Sequence, residues 1–351
     1  MKKLLLFLCI AASAKTKATI ITVSNAINSP AQYTDLQLAI NAANNGDTIY
    51  VSGSNSTYGN VVVNKKLVLI GTGFNPQKEF PVVAQLNSLA FDSIIGQSSG
   101  AGSVIDGFDF LPNTLFQSLS CGSGTGTTFH NIYSITCVNN VTIRRNQFAS
   151  VLGVGGANWM VENNIAKGIY VWNNINVVIR NNIVREAGIH SSNHPNTVIS
   201  NNLFIASNIA FSFIENANIT NNIFYGNADI VSTSSTFNNN LTFNTGQPIL
   251  PYGSNVGSGN INNQDPQFTS IQTLNYQFNP LDNYKLLATS PGHNAGTDGT
   301  DIGPYGGASP FPSSPIGGEP QVPQVKNMNI NNSNLPLNGN LNINVKGKKQ
   351  D

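Results

Sequence analysis

The sequence predicts an all-β fold: a right-handed parallel β-helix solenoid with a short N-terminal capping helix and an irregular C-terminal cap. Three observations carry that prediction. Six octets repeat along the middle of the chain: VTIRRNQF (141–148), WMVENNIA (159–166), VVIRNNIV (177–184), TVISNNLF (197–204), ANITNNIF (217–224) and STFNNNLT (235–242). Their aligned asparagines, Asn146, Asn164, Asn182, Asn202, Asn222 and Asn240, are spaced 18, 18, 20, 20 and 18 residues apart, a period that marks a solenoid. Apolar and polar residues alternate before each asparagine, as in a strand.

A second apolar run follows in each repeat: GIYVW (168–172), AGIH (187–190), NIAFSF (208–213) and ADIV (228–231). Each turn therefore holds at least two short strands joined by Asn, Gly and Ser. A leucine-rich repeat fits part of the octet but needs a helical convex side, and the second half-repeat has no helical period. No six-residue period supports a hexapeptide helix. In a parallel β-helix, turns of about 20 residues stack at about 4.8 Å, so equivalent side chains lie above one another. An asparagine at one bend can then pass amide hydrogen bonds from turn to turn, and it tolerates the left-handed backbone of a sharp bend.

The ends fit the same plan. Residues 1–14 read as a signal peptide: Lys2 and Lys3, an apolar run from Leu4 to Ala12, and the small-residue site Ala12-Ser13-Ala14. The run is too short for a membrane anchor, so no membrane insertion is expected, and the destination is outside the cell or on its surface. The β-helix domain is assigned to 15–307. Within it, YTDLQLAINAANN (33–45) places Leu36, Ala39, Ile40 and Ala43 on one helical face, with Thr34 as N-cap. That helix would plug the open end of the solenoid. GDTIYV (46–51) is read as the first strand, and 61–73 and 103–110 as strand pairs. The ladder is expected to fade after Thr242, with 283–307 closing the domain. Residues 308–324 read as a Pro/Ser/Gly linker, and 325–351 as a hairpin-like tail turning at Asn338-Gly339.

Charge is nearly balanced, 17 Lys+Arg against 16 Asp+Glu, which argues against a nucleic-acid partner. Cys121 and Cys137 either form one disulfide or stay as buried thiols, and cannot alone make a four-ligand zinc site.

DLQLAINAANNGDTIYV, NVVVNKKLVLIGTG, the asparagine repeats and DIGPYGG together resemble the pectin-lyase-like superfamily of secreted β-helix proteins over roughly residues 30–307. The resemblance implies the fold, and a polysaccharide partner. It leaves open lyases, polygalacturonases, phage tailspikes and non-catalytic surface proteins. The long flat faces of such a solenoid suit a polymer, and a monomer suffices for that. The residues offered for substrate binding are Arg144, Glu162 and Arg180, an alternating ionic column suited to uronate carboxylates or to plain ion pairing, together with Tyr170 and Trp172. Tyr170 is expected to stack on His190. The candidates for catalysis are Lys167, Arg185 and His190, all assigned to the same face. The chondroitinase B and alginate lyase group places a lysine and an arginine where Trp172 and His190 stand here, so Lys167 and Arg185 are the substitutes. No cofactor is expected. Pectate lyases commonly use calcium, which makes calcium the metal to consider if the chain is a lyase. Polygalacturonases need a set of close aspartates, which this sequence lacks, so a lyase is favoured over a glycoside hydrolase. The competing expectation is a structural or adhesive surface protein.

Overall fold

The computed structural model describes residues 18–74, 82–92, 100–113, 130–135, 137–172, 175–192, 196–205, 209–226, 229–271, 276–312, 324–331 and 334–348. The expected signal peptide, Cys121 and most of the linker lie outside these residues. Cys137 is disulfide-bonded. Among the described residues no helix is long and apolar enough to cross a membrane.

Apolar alternation along successive turns builds two parallel sheets. The first has ten strands, running from Ile20–Val23 through Thr48–Val51, Val104–Asp106, Thr142–Arg144, Met160–Glu162 and Val178–Arg180 to Thr236–Asn238. Its central residues stack in one inward column, Ile21, Ile49, Leu69, Ile105, Ile143, Val161, Ile179, Ile199, Ile219 and Phe237. All are buried. The second sheet has fourteen strands and contributes Phe110, Phe148, Ala166, Val184, Phe204 and Phe224 to the same core. Parallel crossovers between strands of one sheet take the right hand. The chain is therefore the right-handed parallel β-helix that its repeats predict.

The first strand is Ile20–Val23, not the stretch after the helix: it pairs in parallel with Thr48–Val51. The helix is Leu36–Ala42, and it buries Leu36, Ala39 and Ile40 against the first strands. Its N-cap is Asp35 rather than Thr34, because the Asp35 carboxylate accepts the Leu38 amide at 2.8 Å.

The sheets meet at a corner built from the repeated asparagines. Asn182 Oδ1 accepts the Asn164 amide at 2.9 Å and Asn164 Nδ2 at 3.0 Å. Asn182 Nδ2 donates to Val161 O and Arg180 O at 2.9 Å each, and to Asn202 Oδ1 at 3.0 Å. The same pattern links Asn146 to Asn164 and runs on through Asn222 and Asn240. It does not fade at Thr242. Asn240 donates onward to Asn260, also at 3.0 Å.

The left-handed residue is not the ladder asparagine but its predecessor: Asn163, Asn181, Asn201, Asn221 and Asn239 have φ between 51° and 57°. The paired asparagines thus divide two tasks. One makes the bend and the next makes the ladder. A second row missed in the sequence, Asn140, Asn158, Asn176 and Asn196, forms an exposed ladder six residues earlier, with Nδ2 to Oδ1 distances of 3.0, 3.1 and 3.3 Å.

The C-terminal segment is a strap along one side rather than a plug. It runs back over successive bends. Asn239 Nδ2 donates to Ala295 O at 2.8 Å, and Asn221 Nδ2 to Thr297 Oγ1 at 3.0 Å. Asn181 Nδ2 reaches Pro304 O at 3.0 Å and Gly306 O at 2.8 Å. Phe268, Tyr284, Ile302 and Phe311 then cover Ile165, Ile183, Leu203, Ile223 and Leu241, which point out of the second sheet. In DIGPYGG, Gly303 has φ 93° and a Cβ there would lie 2.5 Å from Ile223. Beyond the strap, Gln324–Ile330 and Ile343–Lys348 form an antiparallel hairpin, and Asn338 has φ 67° in its connection.

Asn182→Ala strands several buried donors and acceptors, each worth about 1–3 kcal/mol, so it should lower stability by about 3–5 kcal/mol. Asn176→Gly keeps the left-handed backbone and loses only exposed amide bonds, so its cost should stay below about 1 kcal/mol. Denaturant midpoints for the two variants measure the contrast.

Candidate functional site

The residues picked from the sequence do not share one face. The corner ladder separates them onto the two sheets.

Arg144, Glu162 and Arg180 lie on the first sheet, in one outward column between Asp106 and Ser200. The Asp106 side chain is 1% exposed and holds two guanidinium groups: Arg144 Nε at 3.0 Å and Arg145 Nε at 2.8 Å. Burial disfavours the Arg145 charge, but the bonds and charge of Asp106, with Glu162 nearby, outweigh it and hold its pKa above the ordinary arginine value. Arg180 donates from Nε at 2.9 Å to the buried Glu162, and its Nη2 lies 2.8 Å from the same carboxylate oxygen. These arginines turn their donors toward carboxylates of neighbouring turns, which joins the turns electrostatically.

Arg145 and Asp106 were not singled out as site residues. The signal was Arg145 standing where later turns have asparagine. Asp106 and Asp109 do not share a strand: Gly107, with φ 77°, turns the chain between them onto different sheets.

Lys167, Tyr170, Trp172, Arg185 and His190 lie on the second sheet in two groups, Lys167 and Arg185 around Glu186, and Tyr170, Trp172 and His190 further along the same strands. The strands Ile165–Trp172 and Ile183–Ser192 pair Tyr170 with His190, as the repeat predicts. Their rings lie 5.0 Å apart at 39°. Trp172 packs edge-on to Tyr170 at 5.5 Å. Buried His130 meets Trp172 from below at 5.1 Å, across the space that Gly153 leaves open. One turn further, Phe213 extends the row, 5.6 Å from His190. It is 62% exposed and has φ 58°, a left-handed backbone that is rare for a bulky residue.

A register shift between Ala166 and Gly168 frees Lys167 from strict alternation. Its ammonium lies 3.4 Å from the Glu186 carboxylate, which also binds Arg185. Glu186, left-handed at φ 74°, is a site residue that sequence spacing did not reveal. Beside it a cleft of about 310 Å³ is lined by Arg185, Glu186, Ile205, Gln277 and Phe278. Tyr276, next to that wall, packs on Tyr225 at 4.8 Å. Burial lowers the His190 pKa and raises that of Tyr170. At neutral pH His190 is therefore an uncharged proton acceptor and Tyr170 an intact phenol.

Nearer the N-terminal end, Gln85, Asp109 and Gln147 stack in another column of the second sheet. The two amides donate to the carboxylate at 3.1 and 3.2 Å. Burial raises the Asp109 pKa, and those two bonds oppose the rise. Each of the three residues precedes an inward apolar residue, Leu86, Phe110 or Phe148, and that shared dipeptide pattern was the overlooked signal.

No protein-family model matches the chain, and no curated protein matches it. Among solved structures it is similar to a pectin methylesterase from Aspergillus niger. The penultimately deglycosylated form, carrying an N-acetylglucosamine stub, is 12% identical with a TM-score of 0.31. The deglycosylated form is 11% identical with a TM-score of 0.28. Each alignment covers 68% of this chain and 86% of the other. At that identity and score, neither residue roles nor activity transfer.

Two measurements probe this arrangement. Asp106→Ala leaves two arginines facing a vacated, buried carboxylate position and should cost about 3 kcal/mol in denaturant unfolding. For His190 the folded pKa lies below the ordinary 6.5, so the unfolded chain binds its proton first as the pH falls. Its contribution to stability is complete above that value and is lost below it. His190→Gln should flatten the fall of melting temperature on the acid side of neutrality.

Proposed function

We propose that the protein binds a polysaccharide outside the cell, along the second-sheet row of Trp172, Tyr170, His190 and Phe213. The observation that carries this reading is the continuity of the row: neighbouring rings lie 5.0–5.6 Å apart over successive turns. Sugar rings present C–H faces that pack on aromatic rings, and a rigid parallel sheet holds these rings in place with little entropy left to lose. Lys167 and Arg185 add cationic groups at one edge, which favours an acidic polymer. The signal peptide read at residues 1–14 of the sequence supports export.

The same site supports cleavage of the lyase type rather than hydrolysis. Neutral His190 accepts the proton from the carbon next to a uronate carboxylate, the glycosidic C–O bond at the adjacent carbon breaks, a C=C bond forms in the ring, and the departing oxygen takes a proton from water to leave as a hydroxyl. Lys167 and Arg185 offset the negative charge that develops on the carboxylate.

The test is a panel of acidic and neutral polysaccharides run in affinity gels, with and without calcium. Trp172→Ala and Tyr170→Ala should each weaken retention of an acidic glycan by about tenfold or more. Unchanged retention in both would remove the binding reading. Cleavage predicts an ultraviolet-absorbing unsaturated product that disappears in His190→Ala. No product on any acidic polymer, with binding intact, leaves a binding protein without lyase activity.

A further inference from the structure

We propose that the outer face of the first sheet carries a second site, for an uncharged polysaccharide, over the turns that contain Ser200, Thr220 and Asn238. It is independent of the aromatic row and lies on the other sheet.

The ionic column of the first sheet ends at Arg180. Its next positions are Ser200, Thr220 and Asn238. Beside them the outward column continues through Val198, Asn218 and Thr236. A groove of about 500 Å³ lies over these turns, and none of the side chains lining it is charged. Asn196, Asn216 and Asn218 are its exposed carboxamides.

The exposed asparagine ladder changes at this groove. It runs from Asn140 to Asn196 by Nδ2-to-Oδ1 bonds, the last at 3.3 Å. Asn216 repeats the same left-handed backbone, at φ 52°, yet its side chain makes no hydrogen bond to Asn196 or to any other described residue. The Asn218 carboxamide, two residues further on, likewise bonds to none of them. Two complete amides, each able to donate and accept, therefore face the groove on a backbone locked by its sheet.

That chemistry selects the ligand. Without a cation the groove has no means to neutralise a polyuronate or a nucleic acid. Val198 and Ala217 are too small an apolar surface for an amphipathic helix. A neutral glycan presents hydroxyls that both donate and accept, at intervals a rigid array of amides and hydroxyls can meet. Its binding needs no charge and loses little entropy on the protein side.

The experiment uses the full chain and two soluble neutral polymers, mixed-linkage β-glucan and galactomannan, with polygalacturonate as the acidic comparison. Retention in affinity gels is measured for the native chain, for Asn216→Ala/Asn218→Ala, for Asn218→Arg, which blocks the groove, and for Trp172→Ala. The expected result is retention of a neutral polymer by the native chain, about tenfold weaker in the double alanine variant, the size of one or two neutral hydrogen bonds. Asn218→Arg should abolish it, and Trp172→Ala should leave it unchanged. Circular dichroism and melting temperature show whether each variant is folded. If Asn216→Ala/Asn218→Ala is unfolded, Asn218→Arg decides alone, and the reverse. The proposal is overturned if the native chain retains neither neutral polymer, or if folded groove variants retain them as well as the native chain does. Loss of polygalacturonate binding in the groove variants, with neutral binding intact, overturns it too. Failure of the aromatic site would show instead in Trp172→Ala and polygalacturonate.

Discussion

The rest of the structure depends on one buried hydrogen bond, the donation from the amide of one ladder asparagine to the Oδ1 of the next. Asn164 Nδ2 to Asn182 Oδ1, 3.0 Å long, is one rung. Each of these side chains is fully buried, so no water replaces a missing partner and an unmade bond carries its full desolvation cost. A turn shifted by one residue would put an apolar neighbour at the corner, leave amides unpaired above and below, and invert every side chain of the strand. The ladder therefore sets register for both sheets at once. The outward columns next to the corner inherit their alignment from it: Glu162 beside Arg180 on one side, Ile165 beside Ile183 on the other.

The first asparagine of each pair shows how a local conformational need was given a second use. A left-handed residue at the bend could be glycine, at a cost in chain entropy. Asparagine tolerates the same backbone and offers an outward carboxamide, and Asn181, Asn221 and Asn239 direct theirs to the strap. Arg145 is the informative departure. It takes the bend at φ 53°, and its side chain turns instead to Asp106. At that turn the outward group serves the ionic column of the first sheet.

Much of this was legible in the sequence, because a solenoid converts spacing into adjacency. A fixed offset from the ladder asparagine was enough to pair Arg180 with Glu162, and the second apolar run of each repeat was enough to pair Tyr170 with His190. Offsets alone did not reveal that the two pairs lie on different sheets. Arg180 stands two residues before its asparagine and Tyr170 six after, so the bend falls between them, and the bend belongs to a single left-handed residue that hydrophobic alternation does not mark. Glu186 and Phe213 were missed for a related reason. Both sit where the backbone turns left-handed and alternation breaks, so no periodic count aims their side chains. The strap was read as an end cap because its Gly, Pro and Asp content shows irregular chain but not its course. Its bonds to Asn181 and Asn221 span 123 and 76 residues.

The strap also explains why the aromatic row is open. On the second sheet, the positions just after the corner project Ile165, Ile183, Leu203, Ile223 and Leu241 outward, an apolar stripe that would be costly to leave in water. The strap covers that stripe with Phe268, Tyr284, Ile302 and Phe311, and the asparagines at the bends supply its polar anchoring. A few residues further along the same strands the outward positions change to Tyr170, Trp172 and His190, whose rings pack on one another and keep polar atoms for solvent or ligand. That half of the sheet needs no cover to be stable. The cleft at Arg185 and Glu186 lies where the two halves meet, with Gln277 and Phe278 as its other wall. Covering one stripe thus shapes the edge of the other. A bound polymer would find one wall built from the solenoid and the facing wall built from the segment that closes it.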